Sequence, residues 1–330
     1  MNEKIYQSMK SVETEDWLDL HVIRPLCYYC AKGFAYFDIH PNTVTILSMF
    51  IGAGSCVFFA HGSHYYEGVA GVVLNLVAIL LLMVADILDC TDGQLARMTG
   101  KKSKVGRILD GMAGFVWFTP IYFAIVWRFY QYHSLEFGWL GISETSQNVL
   151  IATAIVLALG LLSGFQGIAA QQRLADYYIQ VHLFFLKGEK GSELDNSRKQ
   201  QELYDKMDAS TPRYERIFQK SYIDYTKKQE KSTPQFQRLM QLIREKGMSE
   251  AVRKEIHAES LRLMPWNGLL TFNFREFWLF LFVLIDLPAE FFLFEIFAMG
   301  LLTEYVRRRH EGFCRRIADT IENGELRMEN

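Results

Sequence analysis

The sequence has little net charge, since its 330 residues carry 35 basic and 37 acidic side chains. Proteins that bind nucleic acid through its phosphates usually carry a basic excess, so the composition gives no indication of such a partner. The chain also lacks internal repeats and low-complexity tracts. Residues Met1 to Asp19 are polar and charged, so we expect no cleavable signal peptide. The lack of a basic excess therefore does not indicate a nucleic-acid-binding protein, and the lack of internal repeats does not indicate a repeat protein.

Cysteines are few and odd in number, and they are scattered through sequence that is typical of helices. Cys27-Tyr-Tyr-Cys30 has the spacing of a redox or metal-binding pair, but no second pair completes a zinc site and no βαβ pattern surrounds it. We therefore interpret the cysteines as thiols that face lipid or the protein core. The five are Cys27, Cys30, Cys56, Cys90 and Cys314.

Apolar runs near membrane-spanning length are present in two regions, with a very polar stretch between them. The pattern predicts an all-α polytopic membrane protein with about six transmembrane helices. The predicted spans cover residues 43–60, 68–91, 105–129, 149–170, 268–286 and 288–306. We expect none of the predicted spans to be broken in the way usual for transporters, so a transporter is a distant alternative.

The remaining sequence divides around these spans. An N-terminal segment has the mixed apolar and charged pattern of a helix in the membrane interface, and a helical cytoplasmic insert is favoured over disorder for the polar stretch. We predict five parts: an N-terminal cytoplasmic or interfacial segment (1–40), transmembrane helices 1–4 with the catalytic motif (41–186), a cytoplasmic helical insert (187–265), transmembrane helices 5–6 (266–310) and a cytoplasmic tail (311–330).

Basic residues predict the orientation, because cytoplasmic loops of membrane proteins are enriched in Lys and Arg. Residues 61–67, 129–148 and 287–290 contain neither, whereas the N-terminal segment, the 92–107 loop and the 171–267 stretch contain both types. We therefore expect an integral, multi-pass protein with both termini and the acidic motif on the cytoplasmic side.

Carboxylates collect where the second predicted span ends and the third begins. Asp89 and Asp92 are three residues apart, so on one helix they share a face. Asp110 follows after a loop rich in glycine, and Asp86 lies one turn deeper than Asp89. Ionisable residues in membrane spans are costly and usually functional. Several carboxylates near glycines suit Mg²⁺ or Mn²⁺ shared with substrate phosphates.

The spacing of residues 89–110 matches the pattern D-x-x-D-G-x-x-A-R-x8-G-x3-D without error. The matching residues are Asp89, Asp92, Gly93, Ala96, Arg97, Gly106 and Asp110. The chain thus resembles the CDP-alcohol phosphotransferase (CDP-alcohol phosphatidyltransferase) family of integral membrane enzymes of phospholipid synthesis. The resemblance extends to the start of the first span, where Pro41, Asn42 and Thr45 match.

The resemblance implies transfer of a substituted phosphate from a CDP-linked donor, for example phosphatidyl from CDP-diacylglycerol, to an alcohol, with release of CMP. It implies that Asp89, Asp92 and Asp110 bind Mg²⁺ or Mn²⁺. Asp110 and Arg97 are the expected catalytic residues, with Arg97 on a phosphate oxygen. The implied substrate-binding residues are Pro41, Asn42, Thr45, Asp92, Gly93, Ala96, Arg97 and Gly106.

The implied partners are the CDP-linked substrate and membrane lipids, with no nucleic acid. Family members commonly dimerise through membrane helices, so a homodimer is an open alternative. The alcohol acceptor is open among inositol phosphate, glycerol phosphate, serine and an aminoalcohol. It is also open whether diacylglycerol is carried by the donor or is the acceptor.

One position departs from the family pattern. The family has a fourth Asp four residues after the third, usually the general base and a ligand of a second metal, and this chain has Gly114 there. Another group then deprotonates the acceptor, the chemistry is changed or slow, or the protein is an inactive member; an engineered replacement also stays open. The alternative function is a CDP-lipid-binding or scaffold membrane protein without catalysis.

Other polar residues near the motif have two interpretations each. Asp86 either supports Asp89 or is an additional ligand. Lys101, Lys102 and Lys104 fit a positively charged cytoplasmic loop better than a phosphate site. Arg173 and His182 are candidates for binding an acceptor or a lipid headgroup, although polar residues where a helix leaves the membrane are common.

Overall fold

The computed structural model describes residues 5–6, 8–15, 17–102, 104–208 and 211–324, without the side chains of residues 104, 105, 107, 108 and 190. Every regular element in these ranges is helical, which confirms the all-α prediction. The α-helices are α1 (Arg24–Tyr36), α2 (Pro41–Gly54), α3 (Cys56–His61), α4 (His64–Glu67), α5 (Val69–Thr99), α6 (Lys104–Gln131), α7 (Ser134–Leu140), α8 (Ser146–Ser163), α9 (Gln172–Lys187), α10 (Ser197–Asp205), α11 (Arg213–Ser232), α12 (Pro234–Lys246), α13 (Glu250–Gly268), α14 (Phe272–Leu284), α15 (Glu290–Phe294) and α16 (Gly300–Glu322).

Three segments of π-helix and one short 3₁₀ turn join or precede these helices. The π segments are Asp19–Ile23 before α1, Gly164–Gln171 between α8 and α9, and Glu295–Met299 between α15 and α16, and the 3₁₀ turn is Glu189–Gly191. Insertions of this kind within a helix often coincide with functional or strained positions. The segment after α8 and the segment after α15 both contribute to the packing described below.

Local signals explain where the helices around the acidic motif begin and end. Pro41 begins α2, a position where the backbone N–H that proline lacks would have no hydrogen-bond acceptor within the helix. The His40 ring accepts a hydrogen bond from the Asn42 N–H at 3.1 Å. Gly100 ends α5 with a φ of 73°, a left-handed conformation that favours glycine. The chain therefore reverses between α5 and α6, which brings both ends of the acidic motif to one side.

Four helical stretches among the described residues are long and apolar enough to cross a membrane: Pro41–His61, Val69–Thr99, Leu109–Gln131 and Ser146–Lys187. They coincide with the first four predicted spans, although the fourth continues well beyond its predicted end. The chain is therefore a polytopic membrane protein.

The fifth and sixth predicted spans have a different form. Helix α14 has 13 residues, so it extends about 20 Å at 1.5 Å per residue, which is shorter than a hydrocarbon core of roughly 30 Å. The sixth predicted span falls on α15, the π segment after it and the first part of α16, a region that contains charged side chains. These two crossings stay a prediction.

The chain forms two compact units, of which the first contains Met1–Ala169 and Phe272–Gly300. Within it, α2 packs against both α5 and α6, and α1 packs against α5. Its hydrophobic core is rich in aromatic rings, which bury large areas and fix the helix spacing. Buried members of this core include Phe59, Leu82, Trp117, Phe118 and Phe292.

The second unit contains Ala170–Thr271 and Leu301–Asn330. Its own core joins α9, α12, α13 and α16, so the predicted insert is helical and folds together with the extension of the fourth span and the C-terminal helix. Buried members of this core include Tyr178, Phe185, Phe236, Ile256 and Phe313.

Candidate active site

The acidic motif lies on two consecutive helices of the first unit. Asp89 and Asp92 are one turn apart near the end of α5, and Asp110 is in the second turn of α6. The carboxylates of Asp110, Asp92 and Asp86 all lie close enough to that of Asp89 to repel it electrostatically. The fold therefore brings the three predicted metal ligands, together with Asp86, into one neighbourhood.

Asp92 is held in place by a residue from a third helix. Its side chain is 4% exposed, and one carboxylate oxygen, Oδ2, accepts a hydrogen bond from the Thr45 hydroxyl of α2. Thr45 is itself buried, and its hydroxyl also lies 3.2 Å from the Pro41 carbonyl oxygen. Thr45, predicted to lie near the substrate diphosphate, thus contacts a predicted metal ligand directly.

The residues fit a divalent cation by their chemistry. Asp89, Asp92 and Asp110 offer the hard oxygen ligands that Mg²⁺ and Mn²⁺ prefer, and Asp89 Oδ1 is buried without a hydrogen-bond partner. Among the described residues, the three carboxylates do not bring their oxygens within 4.8 Å of one another. Binding one ion through all three therefore requires rotation of at least one side chain.

Arg97 folds back over the glycine of the motif. A Cβ at Gly93 would lie 3.2 Å from an Arg97 guanidinium nitrogen, and Arg97 Nε donates a hydrogen bond to the Ser8 carbonyl oxygen. The guanidinium also acts electrostatically on Asp92. The close approach that glycine permits at residue 93 is thus made by the Arg97 guanidinium, which lies beside the carboxylates.

The other predicted substrate-binding residues lie on α2, α5 and α6, the three helices that carry Thr45 and the acidic motif. Asn42 is half-buried in the first turn of α2, three residues before Thr45, and Pro41 is buried beside it. Ala96 is half-buried on α5, and Gly106 is half-buried in the first turn of α6. Their predicted roles in substrate binding stay predictions.

Comparison with protein families identifies the part of the chain that carries this site. Residues 38–175 match the family model described as CDP-alcohol phosphatidyltransferase. The chain contains a CDP-alcohol phosphatidyltransferase domain. No curated protein and no solved structure matches the chain. Residues 38–175 thus resemble a family of phosphotransferases of phospholipid synthesis, which act on CDP-alcohols in membranes and generally use divalent metal ions.

In this CDP-alcohol phosphatidyltransferase domain, the Phe272 ring fills the space at Gly114, where the family pattern has its fourth carboxylate. Gly114 is buried on α6, and a Cβ there would lie 2.1 Å from Cζ of the Phe272 ring of α14. Phe272 stacks on Phe118 with ring centroids 5.7 Å apart, and it lies tilted against Trp117. A residue from beyond the matched family segment therefore occupies the space that a side chain at residue 114 would need.

The sequence did not identify several residues that border the domain's acidic cluster. Arg24 of α1 forms an ion pair with Glu15 at 2.9 Å, and it donates a hydrogen bond to the Cys90 sulfur at 3.2 Å. Glu276 of α14 acts electrostatically on Asp86. An Arg in the N-terminal segment and a Glu inside an apolar run were visible as unusual residues, but their spacing does not connect them to the motif.

The secondary candidates from the sequence have other partners. Lys101 forms an exposed ion pair with Asp38 at 2.5 Å, while the Lys104 side chain lies outside the described residues. In the second unit, the buried His182 ring shares a hydrogen bond of 2.8 Å with the Ser260 hydroxyl. The candidate roles of Lys101 and His182 in ligand binding stay predictions.

An apolar cavity of about 210 Å³ between α6 and α8 is separate from the acidic cluster. Thr119 and Tyr122 line it from α6. With 3.6 residues per turn, Thr119 lies about 180° around the helix from Asp110, and Tyr122 about 120°. The cavity thus faces away from the carboxylates.

Proposed function

We propose that this protein transfers a phosphatidyl group from CDP-diacylglycerol to an alcohol acceptor and releases CMP. The observation that carries the proposal is the cluster of Asp89, Asp92 and Asp110, in which Thr45 fixes Asp92 and the buried Asp89 Oδ1 has no hydrogen-bond partner. Carboxylates gathered at one point repel one another, and a site for a cation and a pyrophosphate explains why they are gathered.

The reaction forms one bond and breaks another at phosphorus. The acceptor oxygen bonds to the phosphorus of the phosphatidyl group, the bond from that phosphorus to the CMP oxygen breaks, and CMP leaves with the electron pair. The acceptor's hydroxyl proton passes to a base. Asp89, Asp92 and Asp110 would hold Mg²⁺ or Mn²⁺, which when bound offsets pyrophosphate charge and polarises the phosphoryl oxygens. Arg97 binds a phosphate oxygen and orients the donor.

The test is CMP release by the purified full chain in detergent, with Mg²⁺ or Mn²⁺ and CDP-diacylglycerol. Inositol phosphate, glycerol phosphate, serine and an aminoalcohol serve as separate acceptors, and a CDP-aminoalcohol with diacylglycerol tests the reverse distribution of the lipid. Asp89→Asn and Asp110→Asn should reduce release at least about 10²-fold. Asp224→Asn, an exposed carboxylate of the second unit, is the matched control and should not change it.

A second function is favoured by one observation, the Phe272 ring over Gly114. With no carboxylate at residue 114, the domain could bind a CDP-lipid without turning it over. Cytidine-nucleotide binding that requires a divalent cation, with no CMP release from any acceptor, would support this binding function. Release that is lost in Asp110→Asn would exclude it.

A further inference from the structure

Glu276 is a buried carboxylate for which the family motif has no counterpart. It lies on α14, one turn after Phe272 and outside the matched segment 38–175. Its side chain is 4% exposed, and its Oε1 is buried without a hydrogen-bond partner. A buried, unsatisfied carboxylate is costly, so its position requires an explanation beyond packing.

The neighbour of Glu276 is the acidic cluster. The carboxylate repels that of Asp86, which in turn repels that of Asp89. Helix α14 lies against α5, where the Asn75 side-chain amide donates a hydrogen bond to the Val283 carbonyl oxygen at 3.3 Å. Glu276 follows Phe272 by four residues and so shares its face of α14, and Phe272 lies against Gly114 near Asp110. Glu276 thus extends the row of carboxylates from a helix that the motif does not include.

The nearby arginines do not neutralise this row. Arg24 is the cation that acts on Asp86, and it is engaged by Glu15 at 2.9 Å. Arg275 is the cation that acts on Glu276, and it forms a fully buried ion pair with Glu295. Asp86, Asp89 and Glu276 therefore form a group of carboxyls in a region of low polarity, and both nearby arginines are engaged by other carboxylates.

We propose that Glu276 binds a cation together with Asp86 and takes the place of the carboxylate missing at Gly114. The inference rests on the proposed function and names a further residue for it. Phe272 fills the space beside Gly114, and the carboxylate one turn along the same helix replaces the lost one. Asp86 and Glu276 would hold a second divalent cation, whose charge would offset that of their carboxylates.

Mn²⁺ binding, followed by electron paramagnetic resonance during titration of the full chain in detergent, tests this assignment without relying on turnover. In Glu276→Gln we expect the loss of one bound ion per chain, or binding at least about tenfold weaker. Glu276→Asp should retain part of the affinity. The matched control is Glu290→Gln, a half-buried carboxylate whose Oε2 also lacks a hydrogen-bond partner and whose neighbour is Glu136.

Asp86→Asn provides an independent variant if Glu276→Gln folds poorly. Both substitutions should remove the same ion, so the double variant should bind no less Mn²⁺ than either single variant. Unchanged binding in folded Glu276→Gln, or equal losses in Glu276→Gln and Glu290→Gln, would overturn the inference. CMP release is measured separately. If Mn²⁺ binding depends on Glu276 but no CMP is released, only the proposed transferase activity is contradicted. If CMP is released but Mn²⁺ binding does not depend on Glu276, only this inference is contradicted.

Discussion

At the scale of single residues, the contact between Thr45 and Asp92 connects two distant parts of the chain. Thr45 belongs to the start of the first span, and Asp92 belongs to the end of the second. The hydroxyl satisfies a buried carboxylate oxygen and limits its rotation. The orientation of Asp92 therefore depends on α2, although the acidic motif itself lies on α5 and α6.

Replacing Thr45 by Val should weaken the site while preserving the shape of the side chain. A hydrogen bond to a charged group contributes about 1.5–3 kcal/mol, so we expect CMP release and Mn²⁺ affinity to fall roughly tenfold to a hundredfold. Thr43→Val, at an exposed position of the same helix, is the control. Equal activity and ion binding in the two variants would show that Thr45 does not position Asp92.

At the scale of helices, the contact between α6 and α14 determines what can stand at residue 114. Gly114→Asp places its Cβ against the Phe272 ring, so we expect a loss of about 1–3 kcal/mol in the free energy of unfolding. Thermal unfolding in detergent measures this loss. At Gly111, on the same helix, a Cβ would meet no atom within 4 Å, so Gly111→Asp is the control and should be less destabilised.

The double variant Gly114→Asp with Phe272→Ala gives the new carboxylate room. Its loss in free energy of unfolding should be smaller than the sum of the losses in the two single variants, because removal of the Phe272 ring relieves the overlap. If the domain lacks only this carboxylate, CMP release should rise in the double variant above both single variants. Gly114→Asp as stable as Gly111→Asp would contradict the packing explanation.

The π-helical segment after α8 packs against a buried ion pair. Glu295 accepts hydrogen bonds from Tyr122 and Ser163 and pairs with Arg275, and a Cβ at Gly167 would lie 2.3 Å from its Oε1. Breaking a buried pair is strongly destabilising, so Gly167→Ala should lower the unfolding temperature by several degrees. At Gly164 the same methyl would lie 3.8 Å from the Tyr122 ring, an ordinary contact. Equal unfolding temperatures for the two alanine variants would refute this role for Gly167.

At the scale of the whole molecule, the positive-inside pattern predicts that the loop after α7 and the helical insert lie on opposite sides of the membrane. Ser143 and Ser221 are exposed in these two regions. In a variant without native cysteines, an impermeant maleimide added to intact cells should label Ser143→Cys and should label Ser221→Cys only after permeabilisation. Labelling of both variants in intact cells would overturn the predicted orientation.

Most of the fold could be predicted because its signals are local. The first four spans follow from runs of apolar residues, and helix ends follow from Pro41 and Gly100. The fifth and sixth crossings were less predictable, because α14 is short and the later region contains charges. The domain limits proposed from composition and the homodimer stay predictions.

The sequence by itself determined the resemblance to the family, the all-α membrane architecture and the acidic motif, because helical periodicity and the spacing of Asp89, Asp92 and Asp110 are properties of neighbouring residues. The tertiary structure alone decided that Phe272 fills the space at Gly114 and that Glu276 lies close enough to Asp86 for their carboxylates to repel each other. These contacts join positions far apart in the chain. They depend on how α14 packs against α5 and α6, which no local pattern encodes.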